Sequence, residues 1–221
     1  MTLGAIPRKL DLRDIKLGAI QAPIELPKKY ETDISWLRSL WQNGFPACGS
    51  HAGTHLKMIL DYFDTGAKVY SPNYLWIKIK QIDGYPLEVG TDMRSIFKTL
   101  QSYGVCDYDL LPNDFTISLE EYSNSEIINK ELDENAQPRI IKSYAFGNDI
   151  KKDIYLNKAV IILIDVGETW WTREMVELPK KNQGGHFVVA YGFLDLSELE
   201  LDGLKRGVVT LEELEQKYGI K

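Results

Sequence analysis

Two short segments, far apart in the sequence, constrain the fold of this chain most. Gln42 lies six residues before Cys48, and the Gly184-Gly185-His186 segment leads into an apolar run 138 residues after Cys48. A nucleophilic cysteine and the histidine that serves it are usually distant in sequence and adjacent in space. We therefore predict a fold that brings Cys48 and His186 together, with Gln42 beside them.

Composition limits the classes of protein that this chain can belong to. Its 221 residues suffice for one domain, or for one domain of two lobes. The net charge of −6 disfavours nucleic acid as a partner, because phosphate binding needs clustered lysine and arginine. No apolar run reaches the ~18 residues of a membrane span. With no signal sequence visible and only two cysteines, we expect a reduced, cytoplasmic location.

The first half of the chain has the periodicity of helices. From Cys48 onward, apolar residues recur at three- and four-residue steps as far as Phe63, which predicts an amphipathic helix. The Ser71-Pro72-Asn73 segment is typical of a capped helix start. A third helix is predicted to begin at Gly90-Thr91-Asp92 and to run to about Ser102.

The second half of the chain is richer in strand signals. Ala159 to Asp165 is short, apolar and β-branched, and Phe187 to Tyr191 has the same character, so both predict strands. A short strand is predicted at Val208-Val209, followed by a C-terminal helix that opens with a capping box at Thr210. The polar, acidic residues 113–136 are predicted to form a long surface excursion. Helices first and strands second predict the α+β class.

Several motifs in this order resemble one known family. Besides Gln42 and Cys48, the chain contains Tyr70-Ser71-Pro72-Asn73-Tyr74-Leu75, and the motifs together span roughly residues 20 to 192. The chain resembles the papain-like cysteine peptidases of the C1 family, in their bacterial and viral branch. The resemblance implies a two-lobed fold, with a helical lobe at about 35–112, a β-barrel-like lobe at about 137–221 and a cleft between them. An extended arm at residues 1–34 precedes this peptidase domain.

The resemblance also implies roles for individual residues. Cys48 is expected to act as a thiolate nucleophile, since a helix start and a nearby imidazolium lower a thiol pKa. His186 is expected to act as general base and acid, and Gln42 to donate a hydrogen bond to the oxyanion. The substrate would be a protein or peptide, and no metal or organic cofactor is required. A second alignment places His51 at the nucleophile position, but the spacing from Gln42 favours Cys48.

The C-terminal part departs from the family pattern. The family's Asn-Ser-Trp-Gly segment, whose asparagine orients the histidine, does not occur in this sequence. Asp202 lies sixteen residues after His186 and is the first candidate for the third catalytic residue, while Asp195 is the weaker one. Both also fit ordinary loop residues, so a Cys–His dyad is an alternative. A catalytically inactive papain-fold protein that binds a peptide or a partner is the alternative function.

Two further patterns have simpler interpretations. Cys48, His51 and His55 form a Cys-x2-His-x3-His run that could bind zinc, but no fourth ligand is evident. We therefore predict no metal site. Cys106 has no such context and is predicted to be a core residue.

Overall fold

The protein is described here by a computed structural model. It covers residues 4–7, 11, 24–42, 44–114, 116–167, 184–205 and 210–219. The helices are α1 (Cys48–Thr65), α2 (Pro72–Lys80), α3 (Met93–Ser102), α4 (Leu119–Tyr122), α5 (Lys130–Ala136), α6 (Ile150–Asn157), α7 (Glu198–Lys205) and α8 (Leu211–Tyr218). The strands are β1 (Ala5–Ile6), β2 (Lys29–Glu31), β3 (Thr91–Asp92), β4 (Val160–Asp165), β5 (Gly185–Ala190) and β6 (Gly192–Leu194).

The three helices predicted in the first half are confirmed. The Ser71 side chain accepts a hydrogen bond from the backbone N–H of Tyr74, so it caps α2 as its motif indicated. Helix α1 packs closely against both α2 and α3. A Cβ atom at Gly53 would lie 2.8 Å from a methyl group of Ile96 and 2.9 Å from one of Leu75. Glycine in α1 therefore lets the three helices approach closely around the core.

The strands form two small sheets. The four-stranded sheet has the order β3-β1-β5-β4, and β2 pairs with β6 in the second sheet. Strands β4 and β5 are antiparallel, with Ile164 opposite His186 and Asp165 opposite Gly185. Helix α1 packs on both of these strands, which places the start of α1 against the start of β5. The α+β class is confirmed, and neither sheet closes into a barrel within the described part of the chain.

The segment 113–136 agrees with its prediction only in part. It contains two helices, α4 and α5, and several of its side chains are buried in the core. Tyr122 packs with Trp76 and Phe45, and Leu132 packs beside Tyr74 and Cys106. Most described residues of the segment are exposed, as predicted, but widely spaced apolar residues anchor it to the core. Cys106 is buried in the core, as predicted.

The C-terminal predictions have a mixed outcome. Helix α8 is confirmed, and the Thr210 and Glu213 side chains bond to each other's backbone N–H groups at its start. The strand predicted at Val208-Val209 lies outside the described residues. No helix among the described residues is long and apolar enough to cross a membrane.

Candidate active site

Cys48 is the first residue of α1 and lies against the beginning of β5. The backbone N–H of Phe187 is within hydrogen-bonding reach of the Cys48 sulfur, and His186 directly precedes Phe187 on β5. Cys48, His186 and Gln42 all line one cavity of about 280 Å³. The fold therefore brings together three residues that are separated by as many as 144 positions in the sequence.

Gln42 makes a hydrogen bond away from Cys48. Its Nε2 donates to the carbonyl oxygen of Phe45 at 2.6 Å. A carboxamide has two N–H groups, so the second one is still available as a donor. This bond within the loop before α1 fixes the Gln42 side chain at the edge of the cavity.

The N-terminal strand β1 covers Cys48. It pairs in parallel with β3 and in antiparallel orientation with β5, with Ala5 opposite both Thr91 and Gly185. The backbone N–H of Thr91 donates to the Gly4 carbonyl oxygen at 2.8 Å, and the N–H of Gly4 points at the Cys48 sulfur. Cys48 is only 1% exposed as a result. Residues 4–6 thus lie between α1, β3 and β5, directly over the thiol.

This part of the cleft has room for a polypeptide backbone but not for side chains at the three glycine positions that line it. A Cβ atom at Gly4 would lie 2.0 Å from the Pro46 carbonyl oxygen, and one at Gly90 would lie 1.8 Å from the Gly4 carbonyl oxygen. On the other wall, a Cβ atom at Gly185 would lie 2.7 Å from the carbonyl oxygen of Ala5. Each clash is with backbone, which cannot rotate aside. Glycine at these three positions is what allows the strands to pass so closely over Cys48.

Burial sets the protonation states of the two central residues. Desolvation raises the pKa of the Cys48 thiol above its ordinary value, and the N–H groups of Phe187 and Gly4 offset only part of this effect. Desolvation also lowers the pKa of His186. The expectation of a lowered Cys48 pKa is therefore wrong for this conformation. With β1 in place, burial favours a neutral thiol and a neutral imidazole over the ion pair.

His51 is structurally engaged and unavailable to a metal. Its Nδ1 lies 3.0 Å from the carbonyl oxygen of Ala47, and its Nε2 lies 3.0 Å from Nδ2 of Asn113. Because the Asn113 amide donates, Nε2 accepts and Nδ1 carries the proton. Burial lowers the His51 pKa to about 4, which keeps the ring neutral. No group of three or more potential metal ligands occurs among the described residues, so the Cys48–His51–His55 metal interpretation loses its support.

The two aspartates proposed as the third catalytic residue lie in different environments. Asp195 pairs with the Lys151 ammonium group, and its backbone N–H donates to the Lys28 carbonyl oxygen at 2.8 Å. This ion pair fixes Asp195 beside α6, so it is a poor candidate. Asp202 lies exposed on α7 and is not among the described residues that line the cavity with His186. Asp202 as the third residue stays a prediction.

Sequence reasoning missed the residues that close the cleft. Gly4 and Thr91 make their contact across 87 positions, and neither belongs to a motif that marks it as part of the site. The sequence pattern marks His55 only as a possible metal ligand, although it lines the cavity that also contains Cys48 and His186. The only sequence signal for the closed cleft is the recurrence of glycine at positions 4, 90 and 185, which is weak without the fold.

The fold has counterparts among solved structures. The chain matches xylellain, a cysteine protease from Xylella fastidiosa, with a TM-score of 0.74 and 20% identity over 88% of this chain and 80% of that one. It matches proCathepsin B S9 from Trypanosoma congolense with a TM-score of 0.61 and 14% identity, over 89% of this chain and 72% of that one. The protein has a papain-like fold. The predicted resemblance is thereby confirmed at the level of the fold.

A third papain-like match extends this comparison to another cathepsin type. Procathepsin L 3 of the Tenebrio molitor larval midgut aligns with a TM-score of 0.58 and 13% identity, over 82% of this chain and 60% of that one. No family model and no curated protein sequence matches the chain. At these identities the likeness concerns the papain-like fold, and the chemistry has to be argued from the residues themselves.

Proposed function

We propose that the protein is a cysteine peptidase that hydrolyses peptide bonds in proteins or peptides. The Cys48 thiolate attacks the carbonyl carbon, and the His186 imidazolium gives its proton to the leaving amine. The resulting thioester is then attacked by water; one proton of the water passes to His186, the other stays on the carboxylic acid product, and the thiolate re-forms as that acid leaves. The two steps together consume one water and require no cofactor.

One observation carries this proposal. The Cys48 sulfur lies at the start of a helix and against the main chain next to His186, within a papain-like fold. A helix N-terminus favours a negative charge, so the thiolate gains stability once the sulfur is accessible to solvent. The shared cavity with Gln42 supports the same assignment.

Gln42 would complete an oxyanion hole with the backbone N–H of Cys48. The side-chain N–H that does not bond Phe45 is the one that would face the developing charge. A single donor of this kind contributes ~3 kcal/mol to transition-state stabilisation. The bond to Phe45 would hold the amide in place, which reduces the entropy lost on reaching the transition state.

The conformation described here would be a latent one. The Gly4 carbonyl oxygen bonds to Thr91, so it is turned away from any oxyanion donor and the segment is not poised for cleavage. Removal of residues 4–6 from the cleft would expose Cys48 to substrate. On this proposal residues 4–6 of the N-terminal arm (1–34) block a cleft between a helical lobe at about 35–112 and a β-rich lobe at about 137–221.

Covalent labelling tests the proposed chemistry. In the Gly4→Ala chain, in which residues 4–6 are expected to leave Cys48 uncovered, an epoxysuccinyl inhibitor of cysteine peptidases should add once per chain, and peptide mapping should place the adduct on Cys48. Adding Cys106→Ala to the Gly4→Ala chain should leave the labelling unchanged, whereas adding His186→Ala should slow it. Labelling of Cys106 at an equal rate would contradict the proposal, because it would indicate ordinary thiols.

A peptide-binding protein without catalysis is the second candidate. It is favoured by the neutral, buried Cys48 and by the cleft's occupation with an extended strand, β1. The two functions differ in one outcome. A binding protein should retain a synthetic peptide in the cleft after residues 4–6 are displaced, yet it should form no covalent adduct with the inhibitor.

A further inference from the structure

Strand β4 lies at the outer edge of the four-stranded sheet, and its free edge borders a second cavity. This cavity has a volume of about 520 Å³ and lies between β4, the helices α1, α3 and α6, and the segment 143–147. We call it the β4 cavity. It shares no described lining residue with the cavity at Cys48, so the proposed peptidase chemistry does not use it.

The main chain of β4 has polar groups that no described strand satisfies. The backbone N–H of Val166 donates to the carbonyl oxygen of Gly184 at 2.9 Å, so these two residues form a hydrogen-bonded pair. Such pairs alternate along an antiparallel ladder, which means that Ile162 also bonds to β5. Ile161 and Leu163 therefore direct their N–H and C=O groups away from β5, and no described residue bonds to these groups.

The free edge of β4 faces the β4 cavity. Five consecutive residues line the cavity, from Ala159 to Leu163. Successive side chains of a strand point to opposite faces of a sheet, so one cavity touches all five along the edge of the strand. Ile161 is only 8% exposed, and an unbonded main-chain group in such a place costs free energy. A ligand with main-chain donors and acceptors would remove this cost.

The walls of the β4 cavity are mostly apolar. Helix α1 contributes Leu56 and Leu60, and α3 contributes Phe97 and Leu100. Edge strands usually carry charged residues or proline, which discourage pairing with another chain. Residues 160–164 are all valine, isoleucine or leucine, so this part of β4 lacks such protection. It is therefore suited to pair with a further strand that has apolar side chains.

Asp153 places a carboxylate on the wall of the β4 cavity. Ile150, Asp153 and Asn157 all line the cavity and recur at helical spacing, so they share the face of α6 that borders it. The Oδ2 atom of Asp153 packs against Gly147, where a Cβ atom would lie 1.5 Å from it. The backbone N–H of Asp149 is the one described donor that faces this carboxylate. The oxygen that this N–H leaves unbonded is not enclosed, so a ligand can reach it.

The described lining of the β4 cavity has an excess of negative charge. Lys57 is its other charged residue, and the Lys57 ammonium group already pairs with Asp61. Asp153 is 7% exposed and forms no ion pair with a described residue. Burial, and next the nearby Asp149 carboxylate, raise the pKa of Asp153. A cationic group on a ligand would therefore stabilise the Asp153 carboxylate.

We propose that the β4 cavity binds an extended peptide, which pairs with the free edge of β4 as a further strand. The peptide main chain bonds to Ile161 and Leu163, an apolar side chain enters between α1 and α3, and a lysine or arginine side chain pairs with Asp153. The peptide is extended because the unbonded groups recur at every second residue of β4. This inference holds whether or not the protein hydrolyses peptides.

Defined peptides test the site in the Cys48→Ala chain, which leaves them intact. The probe is the acetylated, amidated hexapeptide with three Lys-Val repeats, and its control carries glutamate in place of lysine. We expect the lysine peptide to slow hydrogen exchange of the Ile161 and Leu163 amides at least ~10-fold, because a bonded N–H has to open before it exchanges. The glutamate peptide should change neither. The Ile162 amide, which bonds to β5, is the internal reference. A lysine peptide that protects neither amide overturns the proposal.

Two changes separate main-chain pairing from charge. Methylation of every amide nitrogen in the lysine peptide removes its main-chain donors, so binding should be lost. Asp153→Asn removes the charge at similar size, so the lysine peptide should bind about tenfold more weakly. Glu131→Gln removes a negative charge from α5, outside the cavity, and should leave the affinity unchanged. Undiminished binding of the methylated peptide, or undiminished binding by Asp153→Asn, contradicts the proposal.

Other occupants of the cavity predict different results. If a second copy of this chain covers β4, the Ile161 and Leu163 amides should be protected without peptide, and the protection should increase with protein concentration. If the cavity takes a small apolar amine, hexylamine should bind as tightly as the lysine peptide and should leave both amides unprotected. Either result overturns the assignment to an extended peptide.

Discussion

The cleft differs on the two sides of Cys48. Toward β3, residues 4–6 of the chain make backbone hydrogen bonds, and a Cβ atom at Gly4 would collide with Pro46 at 2.0 Å. Along α1, a cavity of about 280 Å³ extends past Cys48 to His55 and Ile59. One side therefore fits a main chain and the other fits a side chain. A strand can seal the thiol on the first side without filling the second.

The largest effect is expected from removing the Cys48 thiol, which lies between the two sides of the cleft. Cys48→Ala should lower peptide hydrolysis at least ~10³-fold, because the nucleophile and its base act as a unit. The fold should be retained, since alanine is close in size to the buried cysteine it replaces. Cys106→Ala is the matched control and should keep its activity. Residual hydrolysis by Cys48→Ala near the original rate would place the chemistry elsewhere.

Asp202→Ala should have the next largest effect, if Asp202 orients His186. We expect kcat to fall ~10²-fold with little change in KM, because the orientation of the imidazole matters most in the transition state. Asp202→Asn should keep much of the activity, since an amide can also hold the ring. Asp195→Ala is the control, because Asp195 pairs with Lys151 and should not affect kcat. A silent Asp202→Ala would leave a Cys–His dyad.

Gly4→Ala should open the side of the cleft that residues 4–6 block. Its Cβ would lie 2.0 Å from the Pro46 carbonyl oxygen, so β1 cannot dock over Cys48. We expect peptide hydrolysis to rise ~10-fold, since even a modest shift from the closed state releases active chains. Ile6→Val changes the same strand without such a clash and should leave the rate unchanged. Equal activity in all three proteins would show that residues 4–6 do not restrain the enzyme.

The last expected effect is on stability rather than on rate, and it concerns His51, a buried histidine on α1. Burial lowers the His51 pKa from 6.5 to about 4, so the unfolded chain binds more protons than the folded one in this interval. Stability should therefore fall as the pH drops through this window, by up to about 3 kcal/mol. Denaturant unfolding of His51→Gln should show a shallower decline over the same window. If the original protein and His51→Gln lost stability equally over this window, the loss would come from carboxylate groups and not from His51.

The sequence is informative where contacts are local. The helix at Cys48, the Ser71 cap of α2 and the strand at 160–165 all follow from residues within one element, and all are present. The position of β1 depends instead on partners about 85 and 180 residues away, at Thr91 and Gly185. No pattern of neighbouring residues in the sequence predicts the pairing of β1 with such distant strands.

The same limit applies to the chemistry of the site. The helix start at Cys48 predicts a lowered thiol pKa, but a strand from elsewhere in the chain buries the sulfur and reverses the direction. Likewise, the sequence of 113–136 does not reveal its few buried residues, such as Tyr122, because they are spaced too widely to form a pattern. Long-range burial, rather than local propensity, decided both outcomes.

Thiol alkylation tests most directly the claim that Cys48 is a nucleophile sealed by residues 4–6. Iodoacetamide should label Cys48 of the Gly4→Ala variant rapidly at about pH 7, once the helix start and His186 stabilise an exposed thiolate. In the original protein, burial raises the Cys48 pKa, so labelling should be much slower and should accelerate only at alkaline pH. Cys106, whose pKa burial raises to about 12, should stay unlabelled in both. Equal, slow labelling of Cys48 in the two proteins would contradict the account.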